Sequence, residues 1–317
     1  MPSFFFHPGY VAPLPAGHSF PMSKYQTTHE ALAAAGVQFA VPEEAERGLL
    51  LGVHSAGYVD AVMAASVDAT TERRIGFAVT LAVARRSLLS VGGTWAAARL
   101  ALQEGFAANV AGGSHHAMPD GGAGYCVLND LAVVAAALLD KGTLQRVLVI
   151  DLDVHQGDGT AVCLSGRKFD GETGAFTFSI HCEKNFPARK AQSCLDVGLA
   201  DGTGDAGYLD ALACALPGLF ETVRPELVMV QAGVDPHGDD RLGRLALSYA
   251  GLVARDAMVR AACLGAGVPF VATLGGGYDA DVVRLGRRHA ASLLTLAGTP
   301  LPVALRENSV GSGATQS

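Results

Sequence analysis

Short apolar runs alternate along the chain with longer stretches of helical spacing. Each run is largely apolar, which is typical of a strand buried on both faces. The runs lie at 4–6, 106–110, 147–150, 176–180, 227–230 and 270–274. Ala- and Leu-rich stretches with helical periodicity lie at 96–103, 130–139, 208–220 and 247–264. This alternation predicts an α/β fold with an open, mostly parallel central sheet and helices on both faces.

Polar and Gly-rich segments follow four of these predicted strands. In order they read AGGSHHA, DLDVHQGDG, QAGVDPHGDD and GGGY. Ligands of open α/β sheets bind in the crevice outside the carboxyl ends of the strands. We therefore expect the four segments to converge on one rim of the molecule.

Three acidic or imidazole side chains follow the apolar run at 147–150, at alternate positions: Asp151, Asp153 and His155. Alternation along a strand would project all three to one side. Asp153, His155 and Asp235 then form an Asp/His/Asp set from two strand ends, and a catalytic zinc takes about three protein ligands and one open position. Such an ion lowers the pKa of its water towards about 7 and polarises a carbonyl, so the pattern predicts metal-dependent amide hydrolysis.

The remaining polar residues at the four strand ends supply the other groups that hydrolysis needs. One of the adjacent imidazoles His115 and His116 is expected to act as base and then as acid. The carboxylates of Asp151 and Asp158 are available to hold their tautomers. Tyr278, after three glycines, is placed to donate its hydroxyl to the oxygen that gains charge. Each motif alone has ordinary uses in turns and helix caps, and their joint occurrence at four strand ends favours a site.

Length and composition indicate one large domain at 1–306, followed by a polar tail at 307–317 that we predict to be disordered. The formal net charge is −7, and Lys and Arg are scattered along the chain. This distribution argues against nucleic acid or an anionic membrane as a partner and suits a cationic or neutral substrate.

The cysteines and the N-terminal segment indicate the cellular compartment of the protein. The 6 cysteines are widely spaced with no CxxC pair, so we predict reduced thiols. Neither a signal peptide nor an apolar stretch long enough to span a membrane is apparent, so a cytoplasmic protein is expected. The sequence leaves the oligomeric state open, and an oligomer is compatible with it.

In order, AGGSHHA, DLDVHQGDGT, QAGVDPHGDD and LGGGY resemble the signature segments of the zinc-dependent histone deacetylase superfamily. HPGYVAPLPAGHSFPMSKY and FSIHCEKNFPARK are similar to segments of the bacterial proteins grouped near the class IV deacetylases. The similarity runs over nearly the whole chain. It implies the arginase/deacetylase-like fold.

The resemblance also implies two cation sites. The first is a Zn²⁺ site, with Fe²⁺ as an alternative metal, held by Asp153, His155 and Asp235. The second is a structural K⁺ site, partly built from backbone carbonyls. Its matching positions are Asp151, Asp153, His155, Ser179 and Ile180.

By the same resemblance, His116 is the general base and acid, His115 supports it electrostatically, and Tyr278 polarises the scissile carbonyl. Asp151 matches the partner of His115, and Asp158 matches the partner of His116. The channel for an acyl-lysine stem is implied to be lined by Gly124, Tyr125 and Phe186.

The pattern at the pocket rim departs from that of the family. Arg189 and Lys190 follow Phe186, and we expect them to repel cationic peptides or to favour acidic ones. The rim aspartate of the eukaryotic enzymes has no clear equivalent, and Asp120 and Glu72 are the only candidates.

The implied activity is removal of acetyl or other acyl groups from lysine-type amines, in a protein, a peptide or a small molecule. The alternatives are an acetylpolyamine amidohydrolase, a manganese ureohydrolase on the related fold, and a non-catalytic metal-binding or ligand-sensing module. The adjacent His pair and GGGY fit the ureohydrolase poorly. An acetylpolyamine enzyme usually carries a long inserted loop, and none is evident here.

Overall fold

The computed structural model describes residues 3–306, so the predicted disordered tail at 307–317 lies outside the described residues. Within that range, eight strands form one sheet in which every neighbouring pair is parallel. The strands are β1 Ser3–Phe5, β2 Phe39–Ala40, β3 Phe106–Asn109, β4 Arg146–Asp151, β5 Gly174–Cys182, β6 Leu195–Leu199, β7 Leu227–Gln231 and β8 Phe270–Thr273.

Helices cover both faces of the sheet. They are α1 Lys24–Ala34, α2 Arg47–Leu50, α3 Ala56–Met63, α4 Ala69–Ile75, α5 Leu81–Glu104, α6 Asp130–Asp140, α7 Asp158–Cys163, α8 Asp205–Val223, α9 Tyr249–Gly265 and α10 Val282–Ala297. Short 3-10 turns occur at Pro8–Tyr10, Ser165–Arg167 and Val303–Leu305. Val147 and Val149 of β4 pack in a core with residues of α5 and α6, whereas Leu148 and Ile150 pack with residues of α8, α9 and α10. The alternation of side chains thus buries both faces, and the predicted α/β fold class is confirmed.

The six predicted strands are all present, whereas two short edge strands were not predicted. The edge strand β6 is half-buried or exposed at every position, and β2 has two residues. Neither carries the continuous apolar run that marks a strand buried on both faces. Helix α5 is also much longer than the predicted stretch at 96–103, because Gly92 and Gly93 in its middle interrupt the helical pattern.

The strand order brings together the strand ends that carry polar residues. The order is β2-β1-β3-β8-β7-β4-β5-β6, so β3, β8, β7 and β4 are consecutive neighbours. Because all of them are parallel, their carboxyl ends lie at one edge of the sheet. The segments that follow these four strands therefore meet in the middle of that edge.

Among residues 3–306, no helix combines the length and apolar character needed to cross a lipid bilayer.

Candidate active site

The residues after β4 turn back on themselves instead of continuing as a strand. The strand ends at Asp151, whose Oδ1 accepts a hydrogen bond from the amide of Asp153 at 3.1 Å. Oδ1 of Asp153 in turn accepts from the amide of His155 at 3.1 Å. Such side-chain bonds to the amide two residues on are typical of Asx turns. The expectation that strand alternation projects Asp153 and His155 to one side was therefore wrong, because two successive turns place them.

Asp153, His155 and Asp235 form a buried cluster with metal-ligand chemistry. Their ligand atoms all lie within 4.8 Å of one another. Nδ1 of His155 lies 3.1 Å from Oδ1 of Asp153 and 3.2 Å from Oδ2 of Asp235. Burial and the carboxylate of Asp153 raise the pKa of Asp235 to about 8. Two acids so close in a buried place favour a bound cation.

Backbone and side-chain donors orient the two carboxylates. Oδ2 of Asp153 accepts from the side-chain amide of Gln231 at 2.6 Å and from the backbone amide of Gly276 at 2.7 Å. Oδ1 of Asp235 accepts from the amide of Val154 at 2.9 Å. Sequence reasoning missed Gln231, although a polar residue that ends the buried strand β7 was an available signal.

His115 and His116 each have a carboxylate partner. Nδ1 of His115 donates to Oδ2 of Asp151 at 2.7 Å, and Nδ1 of His116 donates to Oδ1 of Asp158 at 2.6 Å. A carboxylate only accepts, so each Nδ1 carries a proton, and Nε2 has a free lone pair only in a ring that is neutral. The pairing is the one that the resemblance implied.

The two imidazoles have opposite electrostatic environments. Burial opposes the charged form of His115, but the carboxylates of Asp151 and Asp153 raise its pKa to about 9. Burial and the neighbouring His115 lower the pKa of His116 to about 4. His116 also lines the pocket described below, whereas His115 does not. The geometry thus presents a neutral imidazole to the pocket and keeps a protonated one behind it.

Tyr278 stands on the glycine loop that closes over the carboxylates. A Cβ at Gly276 would lie 1.8 Å from Oδ2 of Asp235, so only glycine permits this approach. The amide of Tyr278 donates to Oδ2 of Asp240 at 2.7 Å. Burial and the carboxylates of Asp235 and Asp153 raise the pKa of the Tyr278 hydroxyl well above its usual value, so it remains a donor.

The buried ammonium of Lys24 supports the glycine loop that carries Tyr278. Lys24, at the start of α1, is 1% exposed, and its Nζ donates to the carbonyl of Gly275 at 2.7 Å. Nζ also lies 5.3 to 5.5 Å from the ring centroids of Phe20, Tyr25 and Tyr278. Sequence reasoning missed Lys24 and Asp240, although both lie in quoted segments, because each contacts a part of the chain that is distant in sequence.

A pocket of about 540 Å³ leads from the surface to these groups. Gly124, Tyr125 and Phe186 line it together with His116, His155 and Tyr278. The Phe186 ring stands edge-on to His116 at 4.8 Å, and the Tyr125 and Tyr278 rings are 5.7 Å apart. The structure therefore brings the three expected channel residues to the pocket that leads to the Asp/His/Asp cluster.

The positions implied for a second cation lie beside the cluster. Asp151 and Ser179 are direct partners in the β4–β5 register, and Ser179 and Ile180 are buried. Within residues 3–306, the carbonyls of Asp153 and His155 accept no hydrogen bond. Such free carbonyl oxygens are the donors expected around a monovalent cation.

The rim differs from what the sequence suggested. The ammonium of Lys190 donates to the carbonyls of Asn185 and Pro187 at 2.5 and 2.7 Å and so holds the loop that carries Phe186. Arg189 and Lys190 are absent from the pocket lining, as are Asp120 and Glu72. The lining instead contains the arginines Arg74, Arg241 and Arg244.

Comparison with known proteins identifies relatives over almost the whole chain. The family model described as histone deacetylase domain matches residues 18–294. An uncharacterized protein of Picosynechococcus sp. is 45% identical over 289 residues, which cover 90% of this chain and 95% of the relative. Histone deacetylase 2 of Arabidopsis thaliana is 30% identical over 281 residues, which cover 84% of this chain and 71% of that protein.

A solved structure shares the fold. The crystal structure of an HDAC homolog from Aquifex aeolicus superposes with a TM-score of 0.79 at 25% identity, covering 95% of this chain and 85% of that one. The family match and the shared fold agree with the strand order and the buried Asp/His/Asp cluster described above. The chain belongs to the histone deacetylase family.

Proposed function

We propose that this protein is a zinc-dependent deacylase that removes acetyl or other acyl groups from lysine-type amines. One observation carries the proposal: the buried cluster of Asp153, His155 and Asp235 reaches, through His155, the same pocket that His116 and Tyr278 line. A metal cluster, a base and an oxyanion donor are the three parts that amide hydrolysis by activated water needs.

The donor set fits a divalent metal. Two carboxylates and an imidazole are ligands that Zn²⁺ takes at catalytic sites, and Fe²⁺ accepts the same set. Oδ2 of Asp235 is buried and accepts no hydrogen bond within residues 3–306, although Nδ1 of His155 lies 3.2 Å away, and a cation would satisfy this oxygen. The bound ion supplies Lewis acidity towards water and a carbonyl oxygen.

His116 then moves the protons. Asp158 holds its Nδ1–H, so Nε2 is free to take a proton from the attacking water. The same nitrogen returns that proton to the departing amine, which would otherwise leave as an unstable anion. The low pKa of His116 keeps the ring neutral and ready to accept.

Tyr278 and the aromatic walls orient the amide. The hydroxyl of Tyr278 donates to the carbonyl oxygen as negative charge develops on it. The rings of Tyr125 and Phe186 flank the way out of the pocket, so an alkyl amine stem lies between them. This arrangement suits the methylene chain of an acyl-lysine.

We further propose a K⁺ site at Asp151, Asp153, His155, Ser179 and Ile180. Its support is the adjacency of Asp151 and Ser179 together with the free carbonyls of Asp153 and His155. A cation there would offset the buried charge of Asp151. Titration with K⁺ against Na⁺ of the metal-loaded enzyme, read as thermal stability, tests it.

A substrate panel with chelated and metal-reloaded protein tests the function. The panel comprises acetyl-, propionyl- and longer acyl-lysine peptides, acetylpolyamines and guanidino compounds, each with Zn²⁺ and with Fe²⁺. We expect a chelator to abolish acyl-lysine turnover and added metal to restore it. Preferred turnover of acetylpolyamines would favour the first alternative, and guanidino hydrolysis would favour a ureohydrolase.

A variant separates catalysis from mere metal binding. Tyr278→Phe should lower turnover by about 10² to 10³, the usual effect of losing an oxyanion donor, with unchanged metal content. The matched control Tyr58→Phe removes a buried hydroxyl that donates to the Val127 carbonyl outside the pocket, and should retain turnover. Tight metal binding without turnover of any acylated amine would instead identify a sensing module.

A further inference from the structure

The mouth of the pocket has the opposite charge to the whole molecule. Although the chain has a formal net charge of −7, the pocket lining contains three arginines, Arg74, Arg241 and Arg244. Among residues 3–306, no Asp or Glu belongs to that lining. All three arginines are exposed residues of the lining, so their positive charges lie where a substrate enters.

Hydrogen bonds tie these arginines to the walls of the channel. On one side, the carbonyls of Arg74 and Ile75 accept from the amides of Gly124 and Tyr125 at 3.0 and 2.7 Å. On the opposite side, the amide of Arg241 donates to the carbonyl of Tyr278 at 3.0 Å. The backbones of Arg74 and Arg241 therefore have set positions relative to any amine stem in the channel.

Two of the three arginines form no ion pair with a carboxylate among residues 3–306. Arg244 lies 3.7 Å from Asp201 and donates to the carbonyl of Lys184. Arg74 donates to the neutral hydroxyl of Thr71 at 3.0 Å and acts on the exposed Asp68 carboxylate without forming an ion pair with it. Arg241 forms no ion pair within the described residues 3–306. Arg74 and Arg241 thus remain available to an anion.

We infer that Arg74 and Arg241 select substrates bearing a carboxylate on the amine side of the scissile amide. This inference rests on the proposed function, because the acyl carbonyl then lies at the metal cluster and the amine leads out between Tyr125 and Phe186. Whatever carries the amine must pass the two guanidinium groups. The carboxylate belongs either to acidic residues flanking an acyl-lysine or to the α-carboxylate of a free acyl-lysine. A cationic polyamine is disfavoured by the same two groups.

Matched substrates test this selectivity. Acetyl-lysine peptides flanked by Glu, Gln or Lys compare acidic, neutral and basic sequences, and free Nε-acetyl-lysine against its α-amide tests the second source of the carboxylate. We expect kcat/KM to be about tenfold higher for a carboxylate-bearing substrate than for its cationic or amide counterpart. The preference should shrink towards 1 M salt, where the Debye length falls to about 3 Å.

Charge variants assign the effect to these residues. Arg241→Gln and Arg74→Gln should each lower the ratio, and Arg241→Glu should invert it. The control Arg73→Gln removes a neighbouring arginine of α4 that contacts Thr70 and lies outside the pocket lining, so it should keep the ratio. A ratio near one in the wild type, a preference for the cationic substrates, or an unchanged ratio in Arg241→Glu would overturn the inference.

Binding separates this inference from the function. Affinities of the same acetylated ligands for Tyr278→Phe protein, measured by fluorescence anisotropy for the labelled peptides and by calorimetry for the free amino acid, need no turnover. Charge-selective binding without turnover in the wild type would refute the deacylase function and leave the selectivity standing. Binding that ignores charge would refute the selectivity even if the enzyme is active.

Discussion

His115 and His116 are adjacent in the chain but stand in different surroundings. His116 lines the pocket and is paired with Asp158, whereas His115 lies behind it and is paired with Asp151. Their ring centroids are only 4.0 Å apart, so the charge on one depends on the other. The proposed division into a proton carrier and an electrostatic support rests on which of the two rings lines the pocket.

Replacement of each histidine should expose this division. We expect His116→Ala to lower kcat by about 10² to 10⁴, as loss of a general base and acid does, and His115→Ala to lower it less. Single-turnover rates with metal content measured in parallel provide the comparison. A larger loss in His115→Ala would reverse the assignment of the two roles.

A single buried residue, His54, supports the segment that forms one wall of the channel. Its Nδ1 donates to the carbonyl of Met118 at 2.9 Å, and its Nε2 accepts from the amide of Asn129 at 3.0 Å. The ring must be neutral to accept, and burial lowers the pKa of His54 to about 4. The two bonds join the ends of the segment that contains Gly124 and Tyr125.

This depressed pKa predicts a pH-dependent stability. The unfolded chain, with a histidine pKa near 6.5, binds more protons than the folded one, so stability falls as the pH drops from about 6.5 to 4. The contribution of His54 to that fall is about 3 kcal/mol. We expect His54→Gln to be less stable at pH 7 but to lose less between pH 7 and 4, measured by urea unfolding. Equal losses of unfolding free energy between pH 7 and 4 in the wild type and in His54→Gln would contradict the assignment of this pH dependence to His54.

Helix α1 and the glycine loop after β8 depend on each other through Lys24. The buried ammonium is held by the Gly275 carbonyl and three aromatic rings, about 250 residues away in sequence from the loop that it supports. Because Gly276 and Tyr278 follow directly, this contact determines where the hydroxyl of Tyr278 stands.

Lys24→Met keeps the apolar stem and removes the donor. We expect a loss of about 1 to 3 kcal/mol in unfolding free energy, the usual result of leaving a buried carbonyl unpaired, and a fall in kcat larger than any change in KM. Lys24→Arg should retain part of the unfolding free energy and part of kcat. The control Lys141→Met removes an ammonium that lies 4.8 Å from the centroid of the Trp95 ring, remote from the pocket, and should leave kcat unchanged. An equal fall in kcat in Lys24→Met and Lys141→Met would show that Lys24 does not act through the glycine loop.

At the scale of the whole molecule, the cluster of Asp153, His155 and Asp235 lies between the ends of two strands. Asp153 and His155 follow β4, and Asp235 follows the neighbouring strand β7. A bound ion would therefore cross-link the two loops that carry these ligands. Stability and metal occupancy should be coupled.

Metal removal should lower the melting temperature. At a free metal concentration 1,000 times its Kd, binding adds about 4 kcal/mol to the folded state. Calorimetry of chelated and Zn²⁺-loaded protein measures the difference, which should vanish in Asp235→Asn. A metal-induced shift that persists in that variant would place the ion elsewhere.

Much of the fold and of the chemistry was visible in the sequence. Largely apolar runs identified the strands that are buried on both faces within residues 3–306, because burial on two sides leaves few polar positions within a run. The polar residues directly after those runs predicted a site of Asp153, His155, Asp235, His115, His116 and Tyr278, because a strand end meets the crevice where ligands bind. These features depend on a few neighbouring residues.

The order of the strands, the edge strands β2 and β6 and the rim were decided only by the folded chain. The sequence placed the basic rim at Arg189 and Lys190, whereas Arg74 and Arg241 come to the mouth from segments far apart in sequence. Lys24, Gln231 and Asp240 likewise act on residues remote along the chain. Local patterns record burial and backbone preference within a few residues, but which segments become neighbours depends on how all the apolar surfaces pack together.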